Sequence, residues 1–92
     1  MKTIVTITGV RYKSASRCFG WLESFGVAKQ YVEKNNGDIS ENGYYTHCVI
    51  EKFGQGVYPQ AQSETWFKWN GQQYIECSKP IELKDTVNWG IG

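Results

Sequence analysis

Hydrophobic and polar positions along this 92-residue chain alternate in short runs that change period once. Residues 3–10 are rich in β-branched side chains (Thr3, Ile4, Val5, Thr6, Ile7, Thr8), have little helix propensity, and predict a first strand. Residues 11–16 make a polar connector with Lys13, Ser14 and Ser16. Residues 17–36 fit two readings. One is a single helix with apolar positions Cys18, Leu22, Phe25, Ala28 and Val32; it would enclose Gly20 and Gly26, each about 1 kcal/mol worse than Ala. The other makes 17–22 a strand paired with the first and starts a helix of about twelve residues at Ser24. Ser24 is a competent N-cap, Phe25, Ala28 and Val32 form the apolar stripe, and Asn36-Gly37 is the stop. The second reading is preferred because it keeps Gly20 out of a helix interior.

Residues 38–43 read as a polar loop, and 44–53 as a strand. That strand would set Tyr45, His47, Val49 and Phe53 on one face and Tyr44, Thr46, Cys48 and Ile50 on the other. Gly54-Gln55-Gly56 breaks it, and Pro59 excludes a central strand there. Residues 64–77 are two aromatic runs separated by Asn70-Gly71, the signal for a type I′ hairpin turn. Counting outward pairs Trp69 with Gln72, Phe67 with Tyr74 and Trp66 with Ile75. Trp66, Lys68, Ile75 and Cys77 then share one face, and Phe67, Trp69 and Tyr74 the other. In the tail, Trp89 suggests a segment that docks back on the body. The order is ββαβββ: an α+β domain spanning 1–92, with an antiparallel sheet of about five strands and one helix on one face. One helix covers one face, so the second aromatic face of the hairpin is expected to stay partly open.

A formal charge of +1 argues against a generally basic nucleic-acid binder, and 40% hydrophobic residues argue for a folded domain. Cys18, Cys48 and Cys77 contain no C-x-x-C pair, which favours reduced thiols. The first residues lack an apolar leader and no run approaches the ~20 residues that span a bilayer, so the expected setting is the cytoplasm. His47 and Cys48 point to opposite faces of a strand and cannot form a nucleophile–base pair, though a cross-strand pairing of His47 with Cys18 or Cys77 is conceivable. One His with scattered Cys is a poor zinc site, and no cofactor is expected. Glu64 and Glu76 would lie near each other at the open end of the hairpin. The cations interleaved with rings carry more weight. Arg11, Lys13 and Arg17 cluster at the first connector, and Lys68 stands between Trp66 and Trp69.

The segments Arg17-Cys-Phe-Gly-Trp-Leu, Asn36-Gly-Asp-Ile-Ser-Glu, Val49-Ile-Glu, Gly56-Val-Tyr-Pro, Trp66-Phe-Lys-Trp and Asn88-Trp-Gly-Ile-Gly resemble a group of small proteins carried by phages, prophages and their bacterial hosts. The resemblance implies a strand followed by a capped helix after Ser16. In size and make-up the chain is also similar to phage-encoded anti-CRISPR proteins, a likeness of type that carries over no residue. It implies a non-enzymatic binding protein in the host cytoplasm that blocks a protein–RNA effector complex, with direct nucleic-acid contact secondary. Arg11, Lys13, Arg17, Lys68 and Trp69 are the expected contacts. Two other classes remain open. One is a sequestering protein in which Trp21, Tyr44 or Trp89 stacks on a nucleotide while Arg17 holds its phosphate; the other is a small enzyme using His47 or a thiol.

Overall fold

The computed structural model describes residues 3–11, 15–57, 59–86 and 88–90. Five antiparallel strands, β1 (Thr3–Arg11), β2 (Ala15–Leu22), β3 (His47–Gly54), β4 (Ala61–Trp69) and β5 (Tyr74–Cys77), form one sheet in the order β2-β1-β3-β4-β5. Helix α1 (Phe25–Glu33) connects β2 to β3, crossing over β1 on one face of the sheet. The α+β architecture expected from the patterning is the one observed, including β2 as a strand.

Local chemistry explains the boundaries. Ser24 is extended (φ −122°, ψ 123°) and its Oγ accepts from the Val27 N–H at 3.3 Å, which starts α1. The helix stops sooner than Asn36-Gly37, because Asn35 already takes a left-handed conformation (φ 49°). Its Oδ1 accepts from the Ser40 N–H at 2.9 Å and its Nδ2 donates to Asp38 at 3.1 Å, so the side chain anchors the turn. Glu41, Asn42 and Gly43 also have positive φ, and this winding delays β3 to His47. Tyr44 and Tyr45 therefore lie outside the strand that was expected to contain them.

The hairpin turn is displaced by one residue. Trp69 faces Tyr74 and Trp66 faces Cys77, while the Asn70 N–H donates to the Gln73 carbonyl at 3.0 Å. Gly71 (φ 102°) and Gln72 thus occupy the centre of the turn, with glycine in the first central position as a type II′ turn places it. Asn70 acts from outside: its Oδ1 accepts from the N–H groups of Gln72 and Gln73 at 2.8 and 2.9 Å. The register shifts by two residues, an even number, so every side chain keeps its expected face.

Both faces of the sheet are covered. On one side Val5, Ile7, Cys48, Ile50, Phe67 and Tyr74 pack against Ala28 and Val32 of α1. On the other, Val10, Val49 and Trp66 pack under Leu83 and Trp89 of the C-terminal segment. The hairpin face expected to stay partly open is covered at Trp66, which is 3% exposed and meets Trp89 edge to face at 5.8 Å, and stays open at Lys68 and Ile75. The segment is held by polar ties as well as by its rings. Lys79 bridges Glu64 (3.1 Å) and the Thr86 carbonyl (2.8 Å), Asn88 accepts from the Ala61 N–H (2.8 Å), and the Gly90 N–H donates to Glu51 (2.9 Å). The docking expected of Trp89 is borne out. The sheet lacked a second helix, and residues 80–86 and 88–90 take that role.

Candidate binding surface

Two of the expected contact residues meet. Gly9 faces Arg17 and Arg11 faces Ala15, so Arg11 and Arg17 share the helix side of the sheet near its edge. Arg11 donates to the Tyr44 carbonyl at 2.9 Å and its guanidinium lies 4.8 Å from the centre of the Tyr44 ring. Arg17 pairs with Glu41 at 3.3 Å in an exposed position, an interaction worth at most about 1 kcal/mol. Asp38 organises the loop that presents Tyr44 and Glu41. The Asn42 N–H first, then the Asn35 and Ser40 side chains, hold its carboxyl below the usual carboxylate range.

The other candidates are separate. Lys68 is exposed on the opposite face, where it lies across from His47 and Ile75. Trp69 is half-buried against the helix-side core, edge-on to Tyr74 at 5.1 Å and close over Gly43. Lys13 lies outside the described residues.

The groups considered for chemistry are also dispersed. Burial, and then Lys68, hold His47 below the ordinary histidine range; Glu82 opposes them. Its Nδ1 lies 3.1 Å from the Thr46 hydroxyl. Cys48 is fully buried on the other face and burial pushes its thiol up. Glu64 and Glu76 point to opposite faces in the observed register, Glu76 forming a 3.7 Å ion pair with Lys29 of α1. The rings proposed to stack a nucleotide do not gather around Arg17. Trp89 is packed on Trp66, Tyr44 is engaged by Arg11 on one side and stays 43% exposed, and Trp21 projects from the face opposite Arg17. Among the described residues no group of three or more His, Cys, Asp or Glu is placed to hold a metal. No helix among them is long and apolar enough to cross a membrane.

Two features escaped sequence reasoning. Glu51 faces Glu64 across β3 and β4, and its carboxyl is fully buried beneath the tail. Its Oε2, the Thr6 and Thr8 hydroxyls and the Trp89 Nε1 are buried there without hydrogen-bond partners. A carboxylate amid the apolar residues of β3 was the visible signal. The second feature is a groove of about 260 Å³ between β2 and α1, floored by Ile7 and walled by Phe19, Leu22, Tyr31 and Ile39. Phe19 is the extra residue where β2 slips its register against β1, and the bulge lays its ring on Gly9 and Tyr45. Ile39, a lone apolar residue in a polar loop, was the only hint of the groove.

No protein-family model, curated protein or solved structure matches the chain.

Proposed function

We propose that this protein is a non-catalytic binding protein that acts by occupying the surface of a larger assembly, in the manner of phage-encoded inhibitors of CRISPR effector complexes. The observation that carries the binding reading is the exposure at the β2 edge. Trp21 is 61% exposed there, on the face opposite α1, and Val27 and Tyr31 of α1 are each 42% exposed, Tyr31 at the wall of the groove. Rings and aliphatic side chains left in water beside unpaired strand backbone are the surface on which a partner gains affinity. Arg11 and Arg17 at the near end supply the charged anchors, since guanidinium groups match carboxylate and phosphate alike. The narrower assignment to CRISPR inhibition rests on the likeness in size and make-up. It is tested by mixing the purified protein with a purified effector complex. Co-elution in gel filtration with loss of target-DNA binding is the expected result; unchanged DNA cleavage with the protein in excess overturns it.

A further inference from the structure

The two edges of the sheet are unequal. β5 is four residues long and is soon followed by Pro80, which cannot donate to a ladder. β2 is eight residues long, pairs on one side only, and no backbone hydrogen bond among the described residues reaches its outer side. An unpaired edge of that length is a template for another strand. Its surroundings suit one. A strand laid along β2 points alternate side chains to the two faces of the sheet. One set reaches the groove beside α1, and the other reaches the exposed ring of Trp21. At about 260 Å³ the groove falls below the ~300–1,000 Å³ of a small-molecule site and suits a single large apolar side chain.

We propose that β2 is the docking edge for an extended segment of a partner protein, which adds as a sixth strand, seats one apolar side chain in the groove and presents a carboxylate to Arg17. This rests on the binding reading above and names its mode. Charge selects the occupant. Arg17 is the one formal charge within β2, and Arg11 lies beside it on the same face. A second copy of β2 would bring one more guanidinium group and no carboxylate within the strand, whereas an acidic segment complements both arginines and competes with the weak, exposed pair that Arg17 makes with Glu41. Backbone pairing supplies affinity, and the groove and Arg17 supply selectivity.

The test uses octapeptides that alternate threonine with an apolar residue, varied over Val, Leu, Ile, Phe, Tyr and Trp, with an aspartate at one end. Titrated into ¹⁵N-labelled protein, the best peptide should shift the amides of residues 15–22 and slow their hydrogen exchange. Arg17→Glu should weaken it about tenfold, and replacing the peptide's aspartate by lysine should restore binding to that variant. Absence of binding by every peptide, or perturbation confined to β5, overturns the proposal. So does a concentration-dependent dimer in sedimentation that protects the β2 amides. Co-elution with the effector complex decides the binding reading separately: equal co-elution of wild type and Arg17→Glu would leave that reading standing while removing the edge as its site.

Discussion

Glu51 is the residue whose environment has the clearest consequence. Burial raises its carboxyl above the ordinary 4.5, and Glu64 across the strand pushes the same way, while the N–H groups of Gly90, Trp89 and Asn88 oppose them. Lys79 spends its charge on Glu64. The unfolded chain therefore loses this proton at lower pH than the folded one. Stability contributed by the protonated carboxyl is full below about 4.5 and is lost as pH rises through the higher folded value. Glu51→Gln keeps an oxygen for Gly90 and places an N–H₂ group where Oε2 now lacks a partner. The variant should be more stable than wild type at pH 7, and the gap between the two urea midpoints should widen as pH rises from about 4.5, because the other groups, His47 among them, titrate alike in both proteins. Gly90 lies on the same spot. A Cβ there would collide with the Thr6 side chain, so Gly90→Ala should cost about 1–3 kcal/mol in urea unfolding, the usual range for overpacking. Neither effect is readable from composition, since both arise from residues far apart in the chain, Glu51 with Gly90 and Thr6 with Gly90, meeting across a sheet face.

At the scale of elements, legibility followed the range of the interactions. The start of α1 was visible because Ser24 caps a donor three residues away. Ser24→Ala should cost about 1 kcal/mol, measured by urea unfolding, with the loss centred on the first turn in hydrogen exchange. The side-chain faces of the hairpin were equally legible, since alternation is local. The turn itself was not: Asn70-Gly71 signals a two-residue turn wherever it occurs, yet Asn70 here spends its side chain on Gln72 and Gln73 and leaves the centre to Gly71 and Gln72. Competition between a side-chain acceptor and a backbone turn is settled by fractions of a kilocalorie, below what residue type encodes. The end of α1 moved for a related reason, because Asn35 found partners in Asp38 and Ser40 that only the folded loop supplies. The β2 bulge had no signal beyond Gly20, and the groove it walls was hidden with it.

For the whole molecule, the fold class was readable and the coverage of the sheet was not. One amphipathic helix in the pattern implied one covered face. The second cover is an irregular segment with a short 3₁₀ turn (Ile81–Leu83), which leaves no periodicity to detect. Among the described residues, Leu83 and Trp89 are its apolar contributions to that cluster, joined by the polar ties of Lys79, Asn88 and Gly90. The candidate contacts divide for the same reason. Arg11 and Arg17 stay together on the helix side, Lys68 is left on the far side, and Trp69 is drawn into packing.

The indole pair at the centre of that second cover has an optical consequence. Trp66 and Trp89 stand at 84° to each other, 5.8 Å apart. Indole transition dipoles this close couple, giving paired bands of opposite sign in circular dichroism. Since one indole belongs to the sheet and the other to the segment lying on it, lifting that segment would silence the couplet before any strand had separated. The molecule thus carries its own optical gauge of whether its second side is closed.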